Sequence, residues 1–349
     1  MSSSADVIVV GAGVLGLCTA ATLARRGLTA TVIDPGGTNA SSVAAGMIAP
    51  AFETLADGDD PERARLFLGA REAWPDFAAR FGLPLYREGA AWSGPDAAPI
   101  AGRLTALGFA ADADNDAAFT PDDWRTDPVA ALAALRAVGG VTSVQAMVKA
   151  IAPCSQNWQV TLQDDRTLSA GHLVIAAGAG VAALDLPPSV RALAGVVTPI
   201  RGQIGFLAGA SNDRTVRGPH GYIAPATGGR VIGATMEPGR TDLDPDEEGG
   251  LALVRANTGS AVPGAQAVTW RVGIRGATPD GLPLIGSAGL PGLWLALAPR
   301  RNGWLLGPLA GAILADAVQG QPPGPQAAAF DPARFLTGGR QAASREDSD

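Results

Sequence analysis

The chain has 349 residues, 47% of them hydrophobic, and a formal net charge of −7 from 33 acidic and 26 basic residues. That length suits roughly two domains of about 150 residues each, and negative charge spread along the chain disfavours nucleic acid or an anionic membrane surface as partner. Two histidines, two cysteines outside any CxxC pair and a single lysine, Lys149, argue against metal centres, disulfides, Ser-His hydrolysis, Schiff-base chemistry and a P-loop.

The first element is a strand, Asp6 to Val10, running into Gly11-Ala-Gly13-Val14-Leu15-Gly16 and a helix that ends at Gly27. Gly11 permits the turn, Gly13 lets a pyrophosphate approach the backbone, and Gly16 allows close packing of helix on strand. A second strand ends at Asp34, followed by Pro35. A carboxylate there accepts hydrogen bonds from a ribose diol and repels a 2′-phosphate, so the site suits FAD or NAD and not NADP.

A Gly/Ser/Ala-rich loop from Gly36 to Gly46 leads into Met47-Ile-Ala-Pro50. Helical spacing covers Arg63 to Phe81 and Pro128 to Val138, with a loop-rich stretch from Asp112 to Asp127 between them. Val144 to Ile151 and Trp158 to Leu162 read as strands, and His172 to Gly178 as a buried strand closed by a glycine turn. From Gly195 to Arg275 the pattern is strand-turn-strand: Val196–Leu207, Tyr222–Pro225, Arg230–Gly233 and Val268–Ile274, with Gly228-Gly229 as a hairpin signal. The acidic run Asp242 to Glu248 is assigned to solvation and to the start of a helix at Leu251–Thr258, not to a metal. A last strand, Leu293–Leu297, precedes Arg301-Asn302-Gly303 and a helix from Leu305 to Val318. The tail after Gly320 is expected to fray.

This order predicts an α/β protein. A Rossmann-type dinucleotide-binding domain (1–85, 140–195 and 272–335) carries an inserted, mostly antiparallel β substrate-binding domain (86–139 and 196–271), and 336–349 form a flexible tail. No apolar run reaches the ~20 residues of a membrane span, and the N-terminal residues lack the basic region of a signal peptide. A cytoplasmic protein acting on small molecules is expected.

Five motifs in order resemble the D-amino-acid oxidase family of flavoproteins, and within it the glycine oxidase group. They are Gly11-Ala-Gly-Val-Leu-Gly16; Ser42-Val-Ala-Ala-Gly-Met47; His220-Gly-Tyr-Ile-Ala-Pro225 with Gly233-Ala-Thr-Met-Glu-Pro238; Gly273-Ile-Arg-Gly-Ala-Thr-Pro-Asp-Gly281; and Arg301-Asn-Gly-Trp-Leu-Leu306. The likeness runs from about Val7 to Phe335 and implies a glutathione-reductase-type fold and non-covalent FAD. It places Ala40, Ser41 and Ala45-Gly46-Met47 along the flavin, Val148 at the adenine through its backbone, and Gly178 at the cofactor. Arg301, Asn302, Gly303, Trp304 and Leu305 open a helix aimed at the flavin pyrimidine ring, where its dipole favours the anionic reduced form.

The resemblance also gives Arg275, Tyr222 and Arg301 to the substrate, with His220 near the pocket. A planar guanidinium fork and a phenol would fix an α-amino acid with its Cα over the flavin, and no general base is then required. The implied reaction is oxidation of glycine, sarcosine or a small D-amino acid by hydride transfer, with imine hydrolysis, O₂ as acceptor and a place in thiamine biosynthesis. A D-amino-acid dehydrogenase using another acceptor and a non-catalytic FAD-binding subunit are the alternatives, and the chain leaves a homo-oligomer open. Departures from the group's pattern are Ala49-Pro50, Gly276 and Pro299-Arg300. Arg300 is expected to read a second acidic group on the substrate, to narrow the pocket, or to point into solvent.

Overall fold

The computed structural model describes residues 5–94, 96–114, 116–258 and 268–336. The expected flexible tail from 336 onward lies, apart from Leu336, outside the described residues.

Strand β1 (Val7–Val10) is buried on both faces, as its unbroken apolar run requires, and Gly11 turns the chain into helix α1 (Val14–Arg25). Strand β2 (Ala30–Asp34) returns parallel to β1. The segment expected as a loop up to Gly46 contains a helical turn, α2 (Ala40–Val43). The side chain of Asn39 accepts from the amides of Ser41 and Ser42, and Ser42 Oγ accepts from Asn39 N, a reciprocal cap that the glycine content masked. Strand β3 (Met47–Ile48) and α3 (Pro50–Ala56) follow. The single helix expected over 63–81 is two, α4 (Pro61–Glu72) and α5 (Trp74–Phe81). Pro75 has no N–H to continue the ladder across the break.

Strand β4 (Ala90–Ser93) and helix α6 (Ala97–Ala106) come next, and the stretch from Asp112 to Asp127 expected as loop-rich supplies the short strands β5 (Asp112–Ala113), β6 (Ala117–Thr120) and β7 (Trp124–Arg125). Helix α7 (Pro128–Arg136) is capped by Asp127, which accepts the amide of Ala130. The strand expected over 144–151 is split between two sheets, as β8 (Val141–Gln145) and β9 (Val148–Cys154). The latter pairs with β10 (Asn157–Leu162), which pairs with β11 (Thr167–Ala170). Strand β12 (His172–Ile175) ends before Gly178, which opens a 3-10 turn, and α8 (Pro188–Ala194) follows.

Two large sheets organise the rest. The first has six strands in the order β19 (Leu284–Ser287), β20 (Leu293–Leu297), β12, β1, β2, β8, all parallel except the edge strand β19. The second has nine strands and centres on β13 (Thr198–Ala208). It continues through β14 (Thr215–Gly218), β15 (Gly221–Ala226), β16 (Gly229–Gly233) and β17 (Glu237–Pro238), with β4, β5 and β6 extending one side. The hairpin expected at Gly228-Gly229 joins β15 to β16, with Ala226 opposite Gly229. Helix α9 (Glu247–Thr258) lies against this sheet, and β18 (Val268–Ala277) pairs antiparallel with β13 along its length, running unbroken across the expected 271/272 boundary.

Helix α10 (Gly303–Val318) crosses α1 so closely that glycines are required. A Cβ at Gly303 would sit 3.1 Å from Val14, one at Gly307 2.9 Å from Cys18 Sγ, and one at Gly311 2.8 Å from Cys18 O. The tail expected to fray after Gly320 instead forms 3-10 turns at Ala327–Phe330 and Pro332–Phe335. Phe330 is fully buried, and Arg334 is held by Asp280 and the carbonyls of Leu282 and Pro283. An apolar anchor and a multiply bonded arginine outweigh the Pro/Gly content there.

Candidate active site

The glycine turn is tightly packed on one side and open on the other. Gly11 has φ +110°, and a Cβ there would meet Ala176 O at 2.3 Å. A Cβ on Gly16 would meet Gly11 O at 2.1 Å, so both positions are fixed by the fold. Gly13 differs: its nearest neighbour beyond the adjoining chain would be Ser41 Oγ at 3.3 Å, which leaves that side open. Asp34 closes the motif by accepting Ala12 N at 2.8 Å and Gly36 N at 2.8 Å, and its carboxylate keeps lone pairs for further donors. Val14 and Leu15 occupy the first helical positions, where amides lack intrahelical acceptors, and Val14 N donates to Ser41 Oγ at 3.0 Å. Pro35 is exposed beyond Asp34, and Val148 is packed in the same core as Val10 and Ile33.

A cavity of about 360 Å³ opens on one face of the nine-stranded sheet, beneath α2, β3, α3 and the start of α10. One wall is made by Ala40, Ala45, Gly46, Met47 and Trp304 and the other by Tyr222 and Arg275, with Arg301 at the edge. Small residues on the first wall are imposed by close packing. Gly46 has φ +72°, and a Cβ there would lie 2.3 Å from Thr126 O. Trp304 Nε1 donates to Ser41 O at 3.1 Å, and Trp74 Nε1 donates to Trp304 O at 3.0 Å. Asn302 is buried, and its Oδ1 has no hydrogen-bond partner among the described residues, an acceptor that a cofactor N–H would satisfy. Gly303 and Leu305 are packing positions on α10.

On the second wall, strand register decides what faces the cavity. Arg217 lies opposite Tyr222, Tyr222 opposite Gly233, Gly233 opposite Ile204, and Ile200 opposite Arg275. Direct partners share a face, as do residues two apart, so Arg217, Tyr222 and Arg275 all project to the same side. The room for them comes from glycine. A Cβ on Gly202 would fall 2.0 Å from the Arg275 guanidinium, and one on Gly233 would fall 2.4 Å from the Tyr222 hydroxyl. Among the described residues Arg275 makes only long contacts, from Nη1 to Thr235 O at 3.3 Å and Met236 Sδ at 3.4 Å, and it lines the cavity. Burial pushes the Tyr222 phenol up, against the pull of Arg275 and Arg217, so it remains a donor at neutral pH.

Arg301 is engaged differently from the expectation. It donates to Glu53 at 2.7 Å and to Asp57 at 2.6 Å. Arg217 donates to the other oxygen of Glu53 at 2.8 Å. Burial works to raise the Glu53 carboxyl, but Arg217 and Arg301 outweigh it and hold the group down at about 2. Asp57, whose side chain is 1% exposed, also takes Arg300 at 2.9 Å and Arg63 at 3.0 Å. Arg300 therefore neither reaches the cavity nor points freely into solvent; a buried carboxylate captures it. His220 sits exposed on the turn between β14 and β15, beside the cavity-lining Gly218 and Gly221 but not itself in the lining, and its carbonyl accepts from Asn257. The turn that lets β15 double back carries it outward.

Glu53, Asp57 and Arg217 escaped the sequence reading. Glu53 follows the Met47–Pro50 motif by a few residues on the seven-residue helix α3, and Arg217 is on the four-residue strand β14, both too short for periodicity to report. The acidic run before α9 is tied to the sheet through its backbone, because the carbonyls of Asp242 and Asp244 accept from the fully buried Arg201, which also pairs with Glu237 at 2.6 Å. Among the described residues no group of three or more His, Cys, Asp or Glu side chains gathers as a metal site, and no helix is long and apolar enough to cross a membrane.

Residues 6–317, spanning both sheets and the cavity, match the family described as FAD dependent oxidoreductase, abbreviated DAO. The chain belongs to that family. It is 28% identical to the glycine oxidase of Pseudomonas aeruginosa, covering 97% of this chain and 100% of that protein. It is also 28% identical to the bifunctional ThiO/ThiG protein of Synechocystis, covering 97% of this chain but only 55% of the longer protein. The crystal structure of glycine oxidase from Geobacillus kaustophilus superposes with a TM-score of 0.81 at 27% identity, over 95% of this chain and 99% of that one. The protein is thus an FAD-dependent enzyme related to glycine oxidase, with the mixed α/β fold of those relatives. It spans about half the length of its bifunctional relative.

Proposed function

We propose that the enzyme carries out oxidative deamination of a small amino acid or secondary amine, with the six-stranded sheet serving the cofactor and the nine-stranded sheet the substrate. The observation that carries this reading is the pairing, across one cavity, of the Ala40–Met47 and Trp304 wall with the Tyr222 and Arg275 wall.

In this reading Gly11–Gly16, Asp34, Ala40–Met47 and the start of α10 would hold FAD non-covalently, and bound FAD would supply a hydride acceptor that is reoxidised by O₂ to give H₂O₂. Arg275 offers its fork to the substrate carboxylate, and Tyr222 adds a directional donor. Together they hold the Cα–H toward the cofactor wall, and orientation supplies much of the rate. The amine enters or becomes neutral so that its lone pair can form the C=N bond as the hydride leaves. Water then hydrolyses the imine to a carbonyl product and ammonia or a primary amine.

The test is anaerobic bleaching of the purified holoenzyme by glycine, sarcosine, D-alanine and dicarboxylic amines, followed by peroxide measurement on admitting O₂. Bleaching with stoichiometric peroxide supports an oxidase. Bleaching without peroxide replaces O₂ by another acceptor, and no bleaching by any amine refutes the deamination reading.

A further inference from the structure

We propose that Arg217 recognises a second anionic group on the substrate, so that the preferred amine is dicarboxylic; this rests on the deamination reading above. Arg217 and Arg275 line the same cavity, on the same face of the sheet, with Tyr222 between them. Arg275 reaches from β18 across Gly202 of the neighbouring β13, and β15 and β16 separate β13 from β14, so roughly 14 Å of sheet, at about 4.8 Å per strand, lies between the strand beneath the Arg275 guanidinium and the strand that carries Arg217. One arginine stands at each end of a short molecule bound between them.

The Arg217 side chain is only 11% exposed, and its donors are incompletely used. Its Nη2 serves Glu53 at 2.8 Å and Met47 Sδ at 3.5 Å. Its Nε is buried without a partner, and no hydrogen bond holds Nη1 among the described residues. An unsatisfied, largely buried guanidinium is costly, and an oxyanion at this end of the cavity removes the cost.

Charge points the same way. The connected network contains Arg63, Arg217, Arg300 and Arg301 against Glu53 and Asp57, and counting the neighbouring buried Asp123 as ionised still leaves the cations in excess. Arg275 stands outside that network. A single substrate carboxylate on Arg275 leaves the surplus at the Arg217 end unanswered, whereas a second acidic group answers it. With glycine, D-alanine or sarcosine, water or a methyl group would face Arg217 instead.

The experiment compares wild-type holoenzyme with Arg217→Gln and Arg217→Lys, each first checked for FAD content and melting temperature. Anaerobic flavin reduction is measured with glycine, D-alanine, D-aspartate and iminodiacetate, and binding of the unreactive acids acetate and malonate is followed by perturbation of the flavin spectrum. In the wild type, kcat/KM for D-aspartate or iminodiacetate should exceed that for glycine and D-alanine at least tenfold, and malonate should bind more tightly than acetate. Arg217→Gln should cut both ratios tenfold or more, with partial recovery in Arg217→Lys. Monocarboxylic amines reacting as well as dicarboxylic ones, or ratios unmoved by Arg217→Gln, would overturn the second-anion assignment while leaving deamination standing. Failure of every amine to reduce the flavin overturns both.

Discussion

The indole of Trp304 donates to the carbonyl oxygen of Ser41 at 3.1 Å, while the hydroxyl of Ser41 accepts the amide of Val14 at 3.0 Å. One serine thus joins the first turns of α1, α2 and α10, which are far apart in the chain and meet only around the cofactor wall. Positions in this junction should separate into those that serve the fold and those that serve the ligand.

Gly13→Val should abolish FAD retention while the apoprotein stays folded, because a side chain there enters the open side of the turn. Gly11→Val should instead prevent folding, since it collides with Ala176 O and sits at φ +110°. Flavin content after desalting and the far-UV melting curve separate the two. A Gly13→Val protein that keeps its flavin would refute the phosphate assignment.

Arg275→Met should cost about 2–5 kcal/mol in kcat/KM for the preferred amine, as for loss of one partner of a buried charged pair. Arg301→Met should act mainly on stability, because Glu53 and Asp57 already occupy that guanidinium. Steady-state kinetics beside thermal melts of both variants check the division. The reverse pattern would return the carboxylate to Arg301.

Two buried carboxyls should leave opposite marks on stability against pH. Glu53, held at about 2 against an ordinary 4.5, stabilises the native state fully above about pH 4.5 and loses that contribution as pH falls toward 2. Glu53→Gln should therefore cost about 3–5 kcal/mol near neutrality and progressively less in acid. Asp123, pushed up to about 7 by burial, favours the native state at low pH and loses that benefit as pH rises through about 7. Asp123→Asn should flatten the stability curve there. Urea unfolding across the pH range reads both.

Gly311→Val should destabilise the protein by about 1–3 kcal/mol, since its Cβ would approach the Cys18 carbonyl of α1 at 2.8 Å. The lost stability should appear in the apoprotein as well as the holoenzyme. A change confined to the holoenzyme would mean that the α1–α10 seam is set by FAD rather than by packing.

The cofactor half was legible because its constraints are local. Gly11, Gly13, Gly16 and Asp34 each answer to backbone geometry within a few residues of a strand end, so spacing alone reports them. Tyr222 and Arg275 became visible through motifs and were then placed together by register. Arg217, Glu53 and Asp57 were not visible, because their meaning lies in pairs 164 and 244 residues apart, Arg217–Glu53 and Arg301–Asp57. No periodicity encodes such partnerships. The tail after Gly320 was misjudged for a related reason: its order depends on what Phe330 and Arg334 touch, not on the composition around them.

The alternation along β13 has a consequence for how this enzyme can be altered. Ile200, Gly202 and Ile204 face the cavity side, while Arg201 and Gln203 point the other way and grip the segment before α9. Ile200 and Ile204 are therefore the positions of this strand open to retuning what the enzyme accepts, whereas Gly202 is held by the Arg275 guanidinium above it and Arg201 and Gln203 are tied to architecture. Libraries that vary the first set and freeze the second would explore new substrates without losing the stability that keeps the sheet in register.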